Sequence, residues 1–124
     1  KHNGGLLFKT INEHEYQFKT TISENHLNAA GITHGGFLAA FVDAGAGTAA
    51  HRASSNSPCV TISLEMKFIS AVRLGQELIG KTKIQKKTKS MVFLTCELTA
   101  ENKITATASG VWKILRLPGT GSGG

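Results

Sequence analysis

The clearest pattern in the chain is an alternation. From Cys59 to Ile69, Val60, Ile62, Leu64, Met66 and Phe68 fall on one side, and Thr61, Ser63, Glu65 and Lys67 on the other. A period of two with one apolar side predicts a strand with one buried face. Weaker alternation predicts strands over Leu6–Ile11 and Tyr16–Ile22, joined as a hairpin across the polar stretch Asn12–Glu15. Leu78–Ile84 (running on into Lys86-Lys87-Thr88-Lys89), Met91–Leu98 and Ile104–Leu115 complete the strands, with turns at Arg73–Gln76 and Glu101–Lys103. One stretch has no alternation. His34 to His51, HGGFLAAFVDAGAGTAAH, is nearly all apolar or small and predicts a single long helix. Between Gly35 and Ala50 only Asp43 and Thr48 are polar. His51 and Arg52 fall where positive charge suits the helix dipole. Ser23–Thr33 is a loop leading into the helix, and Ser54–Pro58 a loop leaving it.

Two strands, a long helix and four strands joined by short turns predict an α+β domain in which short-turn neighbours pair antiparallel. A helix apolar all round is normally buried. One sheet face cannot cover it, so either the sheet wraps it or a second copy of the chain does. Asp43 would then be a buried carboxylate, which is costly unless neighbours compensate it or it is kept for chemistry. The length, 124 residues, suits one domain. Its expected extent is 1–116. Residues 117–124, LPGTGSGG, form a flexible tail that also looks like a sortase-type tag with a Gly/Ser linker, and it is set aside.

Composition narrows the function classes. A hydrophobic share of 40% excludes disorder. The net charge of +6 permits an anionic partner without choosing one. Basic residues are not interleaved with aromatics and no nucleic-acid motif occurs, so no nucleic-acid partner is expected. The apolar helix is too short to span a bilayer and carries Asp43 and four glycines, so no membrane insertion is expected. No signal peptide opens the chain, which points to the cytoplasm, or to an organelle matrix if a transit peptide has been trimmed. Cys59 and Cys96 lie in separate strands with no CxxC spacing, and the five histidines form no HxxxH pair. They predict small apolar side chains in a reducing compartment and no metal site.

The residues with chemistry cluster around the helix: Asn28, Gly31, His34, Gly35, Gly36, Asp43 and, later, Thr61. Two glycines at a helix start allow close backbone approach. The first-turn N–H groups lack intrahelical partners and suit an anion or a developing oxyanion. The alternative is that the glycines only relieve crowding between helix and sheet. His34 and Asp43 are nine residues apart, on opposite faces and roughly 13 Å apart along the axis. Gly36 and Asp43, seven apart, share a face at about 10 Å. One helix could therefore lend its N-terminus to one pocket and its carboxylate to another. A two-fold dimer with helices side by side would join the halves, and Ala39, Ala40, Ala44, Gly45, Ala46 and Gly47 would permit the approach.

The run N28-A-A-G31-I-T-H34-G35-G36 followed by Asp43 resembles the signature of PaaI-type hotdog-fold acyl-CoA thioesterases. V60-T-I-S, F68-I-S-A-V-R-L-G75 and T105-A-T-A-S-G-V-W112 are similar to the same family, and the likeness covers about Tyr16 to Ile114. It implies an antiparallel sheet curled around one central helix, homodimers or homotetramers, and hydrolysis of acyl-CoA at the dimer interface. Asp43 matches the catalytic carboxylate, as general base or as a nucleophile forming an anhydride. Gly36 matches the oxyanion donor, Asn28 and His34 the polar groups around the carbonyl and the loop, and Thr61 a hydroxyl that helps hold water. Thiolate leaves readily, so neither a strong acid nor a cofactor is needed; coenzyme A is part of the substrate. Structural roles compete: His34 as a cap or loop partner, Asn28 as a turn former, Thr61 as a solvated side chain. Lys81, Lys83, Lys86, Lys87 and Lys89 are a solvated face or, with Arg73, a landing site for the coenzyme A phosphates. Two other activities are weighed: a non-catalytic acyl-CoA-binding module and a hotdog dehydratase or hydratase. Asp43 argues against the first. HGG in place of a proline-rich histidine loop, and Asp in place of Glu on the helix, argue against the second.

Overall fold

The computed structural model describes residues 2–3, 6–29, 31, 33 and 35–115. Strands β1 (His2–Asn3), β2 (Leu6–Thr10) and β3 (Glu15–Thr21) come first. A 3-10 turn (Glu24–His26) and helix α1 (Gly35–Ala53) follow. Strands β4 (Cys59–Phe68), β5 (Glu77–Lys87), β6 (Met91–Ala100) and β7 (Lys103–Ile114) complete the chain. All strand pairs are antiparallel, in one sheet ordered β1-β2-β3-β5-β6-β7-β4. The helix touches every strand from β2 to β7, so the sheet curls around it, as the resemblance implied.

The structure departs from the sequence expectations at several points. The helix begins at Gly35 and runs two residues past His51; His34 lies outside the described residues, as do residues 117–124. Nor do β4 and β5 pair. They sit apart in the sheet, β4 on β7 and β5 on β3. The expected turn at Arg73–Gln76 is present, with the Gln76 N–H on the Arg73 carbonyl at 3.2 Å and Gly75 at φ +83°, but it sits inside a longer crossover, residues 69–76, in which Val72 is buried and whose far end exchanges backbone hydrogen bonds with Ile22. The helix is also not covered all round. Leu38, Phe41, Val42, Ala46, Ala49 and Ala50 are buried, whereas Gly36, Ala40, Asp43 and Ala44 are exposed. Their spacing of four, three and one places them on a single stripe of the helix. Finally, β4 does not keep one apolar face inward, for a reason that matters to the site.

The core forms where helix and sheet meet. Cross-strand rows Tyr16–Thr82–Cys96–Ala108 and Phe18–Gly80–Leu98–Ala106 face the helix, and the rows between them, such as Gln17–Lys81–Glu97–Thr107, face away. Phe18 is a wedge held by two glycines: a Cβ on Gly45 of the helix or on Gly80 of β5 would lie 2.3 or 2.5 Å from its ring. Only glycine admits an aromatic ring so close to backbone on both sides. Burying Phe18, Trp112, Leu78, Leu94 and Leu98 contributes about 1.5–3 kcal/mol each. At the helix end Arg52 stacks over Phe8 at 4.6 Å and donates to Thr10, while the Lys87 ammonium donates to the Ala53 carbonyl. Cys96 is buried and Cys59 half-buried, both as free thiols. Among the described residues no helix is long and apolar enough to cross a membrane.

Candidate functional site

The site begins with a flaw in a strand. Along β4 the register against β7 runs Thr61 to Trp112, then Ser63 to Val111, so Ile62 is an extra residue in a bulge. Without a bulge Thr61 would share a face with Ser63 and Glu65. The extra residue reverses the phase, so Thr61 lies opposite Trp112 on the helix side, together with Leu64, Met66 and Phe68. There its hydroxyl donates to the Asp43 carboxylate, Oγ1 to Oδ1, at 2.7 Å. This is the short length of a charge-assisted O–H···O⁻ bond. Strict alternation, the rule that located the strand, puts Thr61 on the wrong face.

Asp43 lies on the open stripe of α1. Within one chain the carboxylate is exposed, so of the two covers the sequence allowed, the sheet does not supply it. The sheet leaves that stripe uncovered, so water and Thr61, rather than a buried counter-charge, satisfy the side chain. Gly36 lies two turns toward the N-terminus on the same stripe, about 10 Å away by helix rise. A Cβ there would meet nothing within 4 Å. No acidic residue occupies the first turn, which leaves its amide groups free of competing side-chain anions.

The loop before the helix is pinned at both ends. Leu27 and Thr33 form an isolated bridge, and Gly31 turns the chain with φ +78°. The Thr33 N–H and hydroxyl both donate to the Val72 carbonyl, at 2.9 and 2.8 Å. Asn28 is exposed in this loop, and its carbonyl accepts the Gly31 N–H at 3.0 Å. Thus Asp43 and Thr61 are brought into contact, Gly36 shares their stripe, and Asn28 stands in the approach to the helix. His26 escaped the sequence reading. Its ring stacks on Phe37 in the first helical turns at 3.9 Å, and its Nδ1 accepts the Ser23 N–H. The spacing of Ser23 and His26, three apart like a capping box, was the available signal.

The lysine run is divided between two parts of the surface. Lys81 and Lys83 face outward from the sheet, beside Lys67, Glu65 and Glu97 around a cavity of about 590 Å³ that does not touch Asp43. Lys83 pairs with Glu15 at 3.9 Å. Lys86 and Lys87 lie at the other end of β5, near the helix C-terminus.

Residues 30–107, more than half of the chain, match the family model described as the thioesterase superfamily. A Pseudomonas aeruginosa protein described provisionally as an esterase is 34% identical over 75% of this chain and 70% of its own length. Mouse acyl-coenzyme A thioesterase 13 is 30% identical over 68% of this chain and 59% of its own. A variant of the phenylacetic acid degradation protein PaaI of Thermus thermophilus superposes with a TM-score of 0.81 at 22% identity, covering 90% of this chain and 94% of that one. Its fold is the same helix wrapped by an antiparallel sheet. With an open carboxylate on the helix, no acidic residue in its first turn and a family match across both, the chain belongs to the thioesterase superfamily.

Proposed function

We propose that this protein hydrolyses acyl-CoA thioesters in pockets shared by two copies of the chain. The observation that carries this reading is the exposed Asp43 carboxylate, steadied at Oδ1 by Thr61 and lying on the same open stripe as the Gly36 amide. The names of the curated relatives supply the thioester and coenzyme A.

The chemistry follows from the groups. The thioester carbonyl oxygen lies at the first-turn N–H of Gly36, where the helix dipole stabilises the charge that develops on it. Thr61 occupies one carboxylate oxygen of Asp43, leaving the other to take a proton from water as the water oxygen bonds to the carbonyl carbon. The C–S bond then breaks, and coenzyme A leaves as thiolate and takes up the proton. Asn28 and His34 complete the polar surround of the carbonyl. No cofactor takes part. A direct attack by Asp43, giving a mixed anhydride, uses the same groups; transfer of ¹⁸O from labelled carboxylate to product in a single turnover distinguishes it.

One thioester needs the Gly36 amide within about 3 Å of its carbonyl oxygen and the Asp43 carboxylate one water away from its carbon, a span shorter than the roughly 10 Å that separates the two along one helix. Two-fold pairing supplies each from a different copy. The surface for it is present: β4 ends the sheet with no described strand on its outer edge, and Val60 and Ile62 on it are 43% and 53% exposed. A free edge with exposed apolar residues invites pairing. Pairs of such dimers would make the homotetramer, in the cytoplasm or an organelle matrix.

The test is thiol release from a panel of acyl-CoAs. Asp43→Ala and Asp43→Asn should each slow kcat by about 100-fold or more while remaining folded. If both hydrolyse as fast as the parent, Asp43 is not the catalytic group. A parent protein that binds acyl-CoA but releases no thiol is the binding module instead. Light scattering that finds a fully active monomer refutes the shared pocket.

A further inference from the structure

Beside the helix N-terminus lies a shallow groove of about 310 Å³, lined by Thr33, Gly35, Leu38, Phe68, Ile69 and Val72 among others. Its floor is closed: Leu38 and Val72 are buried, and the two hydrogen bonds that Thr33 donates to the Val72 carbonyl fix one wall. Its other wall is Phe68, the last residue of β4, whose ring lies 3.6 Å from where a Gly35 Cβ would be. Phe68 is 56% exposed and Ile69 58%, a large apolar surface to leave in water at the mouth of a polar site.

We propose that this groove holds the acyl group of the substrate and that Phe68 sets the acyl length the protein accepts. The inference rests on the thioesterase reading. If the carbonyl oxygen lies at the Gly36 amide, the acyl chain leaves the same carbon within a few ångströms of Gly35. Apolar surface there is supplied by Phe68, Ile69 and Leu38. The volume is at the small end of ligand pockets, and the closed floor allows no continuation into the core. This chain's own part of the groove therefore covers a compact acyl group of about six carbons or fewer in depth rather than a long fatty chain. A Cβ at Gly35 would sit in ordinary contact with the Phe68 ring, so a side chain longer than alanine's would enter the groove.

The experiment has two arms, each run beside a thermal melt. In the first, kcat/KM is measured for acetyl-, hexanoyl- and palmitoyl-CoA with the parent, Phe68→Ala and Phe68→Leu. Each buried methylene is worth about fourfold. The parent should prefer hexanoyl over acetyl by tens of fold and gain nothing further with palmitoyl. Phe68→Ala should cut the hexanoyl-to-acetyl ratio by about tenfold, and Phe68→Leu by less. In the second arm, calorimetric titration of Asp43→Asn and of Asp43→Asn/Phe68→Ala with hexanoyl-CoA and free coenzyme A should show the same loss of preference in binding. The proposal is overturned if the ratio moves by less than twofold, if all acyl groups lose rate equally, or if palmitoyl beats hexanoyl by more than tenfold. An unchanged ratio with loss of the dimer in light scattering overturns it too, assigning the groove to subunit contact. If no acyl-CoA releases thiol but hexanoyl still binds tighter than coenzyme A, the groove stands and hydrolysis fails. The reverse outcome leaves hydrolysis standing and removes the groove.

Discussion

Thr61→Val removes one hydroxyl and keeps the side-chain shape. It therefore tests whether the bulge in β4 matters to the reaction. The bond it deletes is 2.7 Å long and ends on a carboxylate. Shielded from water, a bond to a charged group contributes about 1.5–3 kcal/mol. Both side chains are exposed in the single chain, and solvent competition brings this down to about 1 kcal/mol. Expressed in the transition state, that is a loss of about fivefold in kcat/KM. Thr61→Ser, which keeps the hydroxyl, should lose less. Thr61 acts here only through Asp43, so the two substitutions must not multiply. Asp43→Asn/Thr61→Val should be within twofold of Asp43→Asn alone, a coupling of about 1 kcal/mol in a double-mutant cycle. The assay is initial-rate thiol release at saturating and at low acyl-CoA, with melts to show that all four proteins are folded. Simple multiplication of the two losses, to within about 0.3–0.5 kcal/mol, would refute the reasoning: Thr61 would then act independently of Asp43 or not at all.

Other substitutions test the fold. Gly45→Ala gains up to about 1 kcal/mol of helix propensity but drives a methyl into Phe18, which Gly80 holds from the other side; chemical denaturation should show a net loss of about 1–3 kcal/mol. Gly47→Ala, where the nearest atom is Trp112 Nε1 at 3.4 Å, should instead be neutral or stabilising by up to about 1 kcal/mol. Burial pushes the Cys96 thiol from 9.0 up to about 11. Between those values the unfolded chain releases a proton that the folded chain keeps. Stability is therefore fully present below pH 9 and falls by about 1.4 kcal/mol per unit above it, a slope that denaturation of Cys96→Ala between pH 8.5 and 10.5 should show reduced. Ile62→Lys, a charge on the free edge of β4, should shift light scattering toward monomer and abolish hydrolysis if the pockets are shared.

The elements were legible because their periods are local. Alternation marked β2, β3 and β4, and the apolar block marked α1, each to within a few residues; the remaining strand runs fell on β5, β6 and β7 with similar bounds. The two-residue turn at Glu101 and Asn102, both with positive φ, fell inside the turn expected at Glu101–Lys103. Asp43 and Gly36 could be singled out because a carboxylate and paired glycines are rare in an apolar helix, and Asn28 by its place in the motif that precedes it. Spacing along one helix was enough to show that Gly36 and Asp43 cannot meet within a single chain.

Strand order, faces and exposure belonged to the tertiary structure. The turn at Arg73–Gln76 was legible, but nothing local says whether the strands on either side of it pair; residues 69–76 cross over instead, with Val72 buried and the far end bonded to Ile22. Alternation encodes a face only while the pleat is unbroken, so the bulge at Ile62 turned Thr61 toward Asp43 against the pattern. An apolar helix reads the same whether or not its last stripe is covered. That stripe is open on α1 because the sheet stops at β4, and an edge is a property of the whole assembly of strands rather than of any stretch of residues. Sequence alone determined which groups could do chemistry here; the closing of the sheet around the helix decided which of them face one another.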